Sequence, residues 1–460
     1  MNQTSKPNVL LLFTDDQRFN TIHALNNDEI HTPVIDCLVR DGLSFENAYI
    51  MGGTCEAVCM PSRAMLHTGR SLFSLRNSGA EIPTEHVLLG EHFRKQGYKT
   101  FGTGKWHNGI DSYVRSFADG GEIFFGGMDD HWNVPACDFS PTGRYPQARP
   151  RMWNPGTGAC KEIEQSYDHI VRGKHSTELF SDEAIRFLLK HDTSVPFFMY
   201  VSFMAPHDPR TMPQRFLSQY NPHEISLPEN FMEVHPFDNG EMHVRDEQLS
   251  DTPRAPAEIR RHLAEYYAMI THLDYEIGRV LDALKAAGQY DKTIVVLAGD
   301  NGLALGSHGL MGKQNNYDHS VHVPLILSGP GIPTNEKRNS LCYLLDVFPT
   351  LCELCGLSIP NTVEGKSLVP CLTGGGNTHR SALLFAYRHL QRSVLIEDGW
   401  KLIEYFVGKK RRTQLFDRSN DPLEMRDLFS SAGNGERITA LRTLLRDLRN
   451  RYSDPLDIEL

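Results

Sequence analysis

Apolar runs alternate along this chain with amphipathic stretches and polar loops. Residues 9–13, 196–203 and 293–298 are dominated by apolar side chains, as is typical of central strands covered on both faces. Residues 176–190 and 256–288 repeat their apolar positions every three or four residues, or multiples of these, which predicts helices. The alternation predicts an α/β fold with a large mixed, mostly parallel sheet flanked by helices.

A different pattern follows the glycine-rich linker at 373–377. Strand-like segments near 383–387, 393–397, 400–406 and 413–417 precede a helix at about 437–449. Several strands followed by a helix predict a small antiparallel α+β subdomain. We therefore expect a large domain at 1–375 and a C-terminal subdomain at 376–460. Two long segments without clear periodicity, 111–169 and 211–254, are interpreted as binding loops.

Polar side chains follow each predicted central strand. In an open α/β sheet, ligands bind at the carboxyl ends of the strands, so these positions are the candidate site. The side chains at these strand ends are Asp15, Asp16, Lys105, His107, His207, Asp300 and Asn301.

The acidic members of this set point to a cation. Two adjacent carboxylates at a buried strand end repel each other unless a cation lies between them. A solvated turn at 15–16 and an ordinary turn at 300–302 are the alternatives that these residues alone leave open. Oxygen donors suit calcium, or less readily magnesium, better than zinc. The predicted metal ligands are Asp15, Asp16, Asp300 and Asn301.

Composition and charge narrow the class of protein. Of 460 residues, 40% are hydrophobic and 23% charged, which is typical of a globular protein. The formal net charge of −10 argues against nucleic acid or an anionic membrane as partner. No apolar run approaches the length of a membrane span. The nine cysteines form no dense framework, and the pair Cys352 and Cys355 is interpreted as core.

The run CMPSR at 59–63 carries the candidate nucleophile. Pro61 suits the first turn of a helix, so Cys59 is expected at a helix N-terminus, where free amides and the helix dipole favour negative charge. Arg63 lies one turn further and can point at the same spot. This pattern suits a nucleophile that attacks an anionic group.

With the segments GKWH at 104–107, DNG at 300–302 and GSHG at 306–309, this run resembles the signature of the formylglycine-dependent (type I) sulfatases of the alkaline phosphatase superfamily, most closely the bacterial glycan sulfatases. The resemblance implies that a maturation enzyme oxidises Cys59 to formylglycine (3-oxoalanine). One hydroxyl of the hydrated aldehyde then attacks sulfur and the other, once deprotonated, expels sulfate. It also implies calcium at the four predicted ligands.

The resemblance further implies roles for individual side chains. His107 takes the proton of the second hydroxyl, and Arg63 and Lys105 fix formylglycine and sulfate. His207 and Lys313 neutralise or protonate the leaving oxygen. The expected substrate is a sulfated carbohydrate, from a glycosaminoglycan or an algal polysaccharide, with its sulfate position left open. Candidate substrate-binding residues are His131, Trp132, Arg210 and His308, with further arginines at 144, 149, 151 and 215.

Three other readings remain open. A phosphonate or phosphate monoester hydrolase of the same superfamily shares the metal and nucleophile logic. An inactive glycan-binding relative would leave Cys59 unmodified, and a redox protein would need a resolving cysteine, for which only Cys55 lies nearby. The N-terminus has no signal-peptide h-region, so we expect a cytoplasmic protein, or a periplasmic or secreted one if a signal peptide has been removed.

Overall fold

A computed structural model describes residues 6–145, 147–153, 161–373 and 379–458. The strands are β1 Asn8–Thr14, β2 Gly42–Phe45, β3 Ala48–Tyr49, β4 Gly52–Gly53, β5 Lys99–Lys105, β6 Asp119–Phe124, β7 Asn133–Ala136, β8 Gln147–Trp153, β9 Lys161–Tyr167, β10 His169–Arg172, β11 Phe197–Ser202, β12 Thr293–Gly299, β13 Leu325–Ser328, β14 Glu336–Arg338, β15 Cys342–Tyr343, β16 Ala382–Tyr387, β17 Gln391–Ile396, β18 Trp400–Val407 and β19 Lys410–Asp417.

Helices cover the sheets and join their strands. They are α1 Pro33–Arg40, α2 Cys59–Thr68, α3 Leu89–Lys95, α4 Ile110–Ser116, α5 Ser176–Lys190, α6 Gln214–Leu217, α7 Pro256–Ala286, α8 Asp318–Val321, α9 Val347–Leu354, α10 Val369–Leu372 and α11 Gly435–Arg451. No helix in the described part of the chain combines the length and apolar character that crossing a bilayer requires.

The main sheet has eight strands in the order β14-β2-β13-β12-β1-β11-β5-β6. The five strands β12, β1, β11, β5 and β6 are parallel to one another, whereas β13 runs antiparallel to both β12 and β2. The carboxyl ends of β1, β11, β5 and β12 therefore meet at one edge. The mixed, mostly parallel sheet predicted from the apolar pattern is confirmed.

The central strand β1 contributes to two hydrophobic cores. Because successive side chains of a strand point to opposite faces, Val9 and Leu11 pack in one buried cluster and Leu10 and Leu12 in the other. Each fully buried leucine contributes about 1.5–3 kcal/mol of hydrophobic stabilisation. Helices α5 and α7 pack against one another on the face of Leu10, so the strand ends are held on a rigid support.

The C-terminal strands form a second sheet, in the order β19-β18-β17-β16-β4. Strands β16 to β19 are antiparallel, and α11 packs on β16, β17 and β18, as the sequence predicts. The edge strand β4 comes from the segment just before α2, and it pairs with β16 through Gly52 and Ala386. Gly52 has φ 94°, and a Cβ there would lie 2.1 Å from the Ala386 carbonyl oxygen, so only glycine fits this pairing.

Several predicted bounds differ from the structure. The 111–169 segment is not one irregular loop, because it contains α4 and β6 to β10 within its described parts. The apolar pattern at 85–96 predicts a helix, and the structure has this helix only at Leu89–Lys95. The proposed domain boundary at 375 lies in 374–378, outside the described residues, and stays a prediction.

Candidate active site

Cys59 is the first residue of α2 and is 2% exposed. Burial raises the pKa of its thiol to about 11, although the positive charge of Lys105 opposes that rise. At neutral pH the side chain is therefore a neutral thiol, and a thiol is a much weaker nucleophile than a thiolate. The unmodified Cys59 side chain is therefore a weak nucleophile.

Arg63 lies one turn along α2 and its side chain is completely buried. Its Nε and Nη2 each lie 2.9 Å from Asp300 Oδ2, and its Nη1 donates to Ser202 Oγ at 2.6 Å. A guanidinium held at several donors is pre-organised and always charged. Arg63 thus ties α2 to the ends of β11 and β12.

Lys105 ends β5 beside the thiol. Its Nζ lies 3.7 Å from Cys59 Sγ and forms a charged hydrogen bond with Asp15 Oδ2. The pairing of β5 with β6 shifts its register between Thr103 and Gly104. Gly104 has φ 84°, and a Cβ there would lie 1.9 Å from the Ser202 carbonyl oxygen. This glycine therefore permits the irregularity that precedes Lys105.

His107 faces the same thiol from the other side. Its Nδ1 lies 3.5 Å from Cys59 Sγ, and its backbone has φ 68°, a left-handed conformation that is uncommon for a residue other than glycine. Burial, with the charge of Lys105 adding to it, lowers the pKa of His107 well below its ordinary value. The imidazole is therefore neutral near pH 7 and able to accept a proton.

A second group of charges surrounds Asp16. Lys313 Nζ donates to Asp16 Oδ1 at 2.5 Å, and His207 Nε2 lies 3.6 Å from Asp16 Oδ2. Although burial disfavours the ammonium, the Asp16 carboxylate holds the pKa of Lys313 well above its ordinary value. Lys313 is therefore a permanent cation at this point.

The four predicted metal ligands lie together. Asp300 Oδ1 accepts from the Asp16 backbone N–H at 3.0 Å, and Asn301 Nδ2 donates to Asp16 Oδ1 at 2.7 Å. Asp15, Asp300 and Cys59 each present a ligand atom within 4.8 Å of the others. Asp15 Oδ1 and Asn301 Oδ1 are buried without a hydrogen-bond partner among the described residues.

The electrostatics of this cluster fit a hard cation. Burial, with the neighbouring charge of Asp15 adding to it, raises the pKa of Asp300 to about 7. Converging carboxylates and unpartnered buried oxygens are the donor set that calcium binds in proteins. The residues present are therefore suited to a divalent ion beside position 59.

The mouth of the site is lined by residues from remote parts of the chain, namely Glu56, Ala57, Cys59, His107, Gly127, Met128, His207, Val244, Arg245, Asp246, Lys313 and Gln314. The six predicted catalytic residues converge at or directly beneath this mouth. Arg63 and Lys105 lie beneath it, fully buried.

The four predicted substrate-binding residues do not line this mouth. His131 is fully buried; its Nδ1 is 2.6 Å from Ser176 Oγ and its Nε2 is 3.1 Å from the His207 carbonyl oxygen. His308 bonds the Glu424 carbonyl at 2.9 Å, and Arg210 bonds His262 Nδ1 at 2.8 Å. Trp132 packs edge-on against His175. Their role as substrate ligands stays a prediction, which this placement does not support.

Comparison with known proteins decides the family. The family model described as Sulfatase matches residues 7–357, and one described as N-sulphoglucosamine sulphohydrolase, C-terminal, matches residues 306–451. The chain belongs to the sulfatase family. This sulfatase is 29% identical to an arylsulfatase of Clostridium perfringens, over 98% of this chain and 96% of that one. It is 25% identical to an N-acetylglucosamine-6-O-sulfatase of Bacteroides thetaiotaomicron, over 98% and 88% of the two chains.

Solved structures share its fold. A protein in complex with its substrate D-glucosamine-2-N,6-O-disulfate aligns with a TM-score of 0.74 at 22% identity, covering 99% of this chain and 100% of that one. A phosphonate monoester hydrolase of Agrobacterium radiobacter aligns with a TM-score of 0.73 at 21% identity, covering 97% and 96%. The sulfatase thus has an alkaline-phosphatase-like fold and is a sulfuric ester hydrolase.

Sequence reasoning missed the polar residues around the mouth of the sulfatase. Arg245 and Asp246 lie in a segment with no periodicity, and Gln314 directly follows a predicted catalytic lysine. Asp208 follows His207 and could have been noticed by that adjacency alone. Nothing in the local sequence of Glu56 or the other mouth residues separates them from ordinary surface polar groups.

Proposed function

We propose that this sulfatase hydrolyses sulfate esters of a saccharide, with formylglycine at position 59 and calcium held by Asp15, Asp16, Asp300 and Asn301. The observation that carries this proposal is the position of Cys59 Sγ, which lies 3.5 Å from His107 Nδ1 and 3.7 Å from Lys105 Nζ, beside the acidic cluster. A nucleophile, a base and cations for an anionic substrate thus share one pocket.

The names of two relatives support a saccharide substrate. Besides the N-acetylglucosamine-6-O-sulfatase, an ulvan-active sulfatase of Formosa agariphila is 27% identical over 80% of this chain and 65% of that one. A choline-sulfatase of Rhizobium meliloti is 28% identical, so not every relative is named for a saccharide. A carbohydrate substrate is thus the class that the names of two of these relatives favour.

The two buried cations beneath position 59 share one role. Lys105 and Arg63 hold positive charge beneath the reacting group, where it offsets charge that develops on the sulfate oxygens. Because they are buried and fixed by Asp15 and Asp300, they need little reorganisation during the reaction. Formylglycine, when formed, supplies two hydroxyls on one carbon, and calcium, when bound, supplies Lewis acidity at the same place.

Proton movement falls to the two histidines and Lys313. The neutral His107 accepts a proton at Nδ1 from the group at position 59, at the distance of a long hydrogen bond. On the opposite side, His207 Nε2 and Lys313 Nζ converge on Asp16 and line the mouth, where the leaving oxygen emerges. They donate to that oxygen or neutralise it as the S–O bond breaks.

The proposal is tested with protein produced together with a formylglycine-generating enzyme. We expect intact mass to show conversion at position 59, hydrolysis of an aryl sulfate and of sulfated mono- and disaccharides, and complete loss of activity in Cys59→Ala. Cys55→Ala is the matched control and keeps its activity, because its sulfur bonds the Ala57 carbonyl oxygen at 3.5 Å and the Ser78 side chain, and the residue does not line the mouth. Equal rates in both variants would refute the proposal.

Phosphonate monoester hydrolysis is the second candidate, because the fold of the solved phosphonate hydrolase matches 97% of this chain. A multifunctional alkaline phosphatase superfamily protein of Trinickia caryophylli is also 28% identical, over 81% of this chain and 78% of that one. Rates on an aryl sulfate and an aryl phosphonate, measured side by side, separate the two. A higher kcat/KM on the phosphonate would reverse the assignment.

A further inference from the structure

Two arginines at or beside the active-site mouth are each shared by two carboxylates. Arg245 is shared by two carboxylates: its guanidinium forms a bidentate pair with Asp208, and its Nη1 lies 3.1 Å from Asp246 Oδ1. The second oxygen of Asp246 accepts from Gln314 Nε2 at 2.7 Å. One guanidinium therefore serves two carboxylates, and Asp246 also interacts with the Lys313 ammonium, which lines the mouth.

The opposite side of the rim repeats this arrangement. Arg388 Nη1 lies 2.6 Å from Glu241 Oε1 and 3.4 Å from Glu56 Oε1, so again one guanidinium serves two carboxylates. The Glu241 side chain is only 5% exposed, whereas that of Glu56 is 42% exposed and lines the mouth. Glu56 therefore presents a carboxylate to whatever enters.

The other cationic side chains of the pocket already pair with acidic side chains. Lys105 pairs with Asp15 beneath the mouth, and Lys313, which lines the mouth, pairs with Asp16. Of the arginines expected to bind an acidic sugar, Arg210 bonds His262 and Arg215 stacks 4.7 Å from the Phe216 ring. Among the described side chains that line the mouth, none offers an unshared positive charge to a second anionic group.

We propose that the mouth selects a leaving group that is neutral or cationic next to the sulfate ester, such as a monosulfated sugar unit bearing hydroxyl, acetamido or amino groups. A second sulfate or a carboxylate on that unit would face the Glu56 and Asp246 carboxylates. Hydroxyl and ammonium donors would instead find acceptors there. This inference rests on the proposed sulfatase reaction and adds its substrate class.

The test uses three aryl sulfates whose para substituents are trimethylammonium, acetyl and carboxylate. With matured enzyme at low ionic strength, we expect kcat/KM to be lowest for the carboxylate after correction for the reactivity of each leaving group. In Glu56→Gln, kcat/KM for the carboxylate substrate divided by kcat/KM for the acetyl substrate should rise about fivefold. This factor corresponds to removing the Coulomb repulsion of one unit charge across a partly solvated pocket. Added salt should shrink this difference.

Glu56→Lys gives a graded second measurement, since the added positive charge should raise the same ratio by about 25-fold. Asp282→Asn is the matched control, because its carboxylate is 79% exposed on α7 and does not line the mouth. A carboxylate substrate hydrolysed as well as the acetyl one, or a ratio unmoved by both Glu56 variants, overturns the inference. Failure to hydrolyse any of the three aryl sulfates overturns the proposed reaction instead.

Discussion

Replacement of Arg380 by methionine should loosen the join between the C-terminal sheet and the large sheet. Arg380 lies two residues before the start of β16, and its guanidinium pairs with Asp346, which precedes α9. Arg380 Nε donates to Asp346 Oδ2 at 3.0 Å, and Nη2 contacts the other oxygen. The two side chains are 8% and 0% exposed. The variant therefore leaves a buried carboxylate without its main counterion.

The expected loss of folding stability follows from the burial of this ion pair. Removing one partner of a buried ion pair costs about 3–5 kcal/mol. Asp346 keeps hydrogen bonds from the backbone N–H groups of Tyr343 and Lys366, at 3.0 and 2.7 Å, which keeps the loss toward the lower figure. With an unfolding entropy of about 2.1 cal/mol/K per residue over 460 residues, the melting temperature should fall by about 3–5 °C.

The pH dependence of the stability difference tests whether the lost Arg380–Asp346 ion pair is its cause. Burial disfavours the Asp346 carboxylate, but the charge of Arg380 outweighs burial and holds its pKa below the ordinary value. A depressed carboxyl pKa stabilises the fold above the unfolded pKa of about 3.9 and loses that effect as pH falls. The difference between wild type and variant should thus be full at pH 7 and shrink in acid, where Asp346 of the variant takes up a proton.

Thermal unfolding followed by calorimetry measures both effects. Arg40→Met is the matched control, because Arg40 pairs with Asp41 at 3.6 Å with both side chains more than half exposed, and we expect no measurable shift there. A fall of less than about 1 °C in Arg380→Met, or a difference that persists unchanged into acid, would refute the reasoning.

Two further predictions concern the metal and a buried histidine. Chelation should abolish sulfatase activity and lower the melting temperature. Free calcium at 100 times its dissociation constant should restore about 2.7 kcal/mol of stability. A melting temperature that does not change with calcium would exclude the proposed ligands. Burial, with the charge of Arg63 adding to it, lowers the pKa of His67 to about 3, and neither ring nitrogen has a partner among the described residues. Because the unfolded chain takes up this proton first, stability should fall as pH drops from about 6.5 toward 3, and His67→Phe should remove about 2 kcal/mol of that loss between pH 7 and 5 in urea titrations. Equal pH slopes in the two proteins would contradict that assignment.

The local sequence was sufficient for the central strands and for helix α5. The run at 9–13 is typical of a strand covered on both faces, and helix α5 has the predicted bounds of 176–190. Polar residues at the ends of such strands must meet, because parallel strands place their carboxyl ends at one edge of the sheet. The cluster of Asp15, Asp300 and Asn301 was predictable for this reason.

The long segment at 111–169 could not be read in the same way. Strand β10 pairs with β7 in a two-stranded sheet of their own, so neither strand needs the apolar run of a central strand. Partly exposed positions in β10 hide the period of two that would mark a strand. The same weakness applied to 211–254, where Arg245 and Asp246 lie.

The sequence by itself determined the α/β class, the sheet edge that holds the polar cluster, and the family motif that begins at Cys59. These features follow from local apolar periodicity and from a short motif. Only the tertiary structure decided which acid each cation serves, that Glu56 and Arg245 line the mouth, and that Arg388 pairs with Glu56. The physical reason is that a charge pair depends on distance in space, and residues 56, 245 and 388 become neighbours only after both sheets have packed.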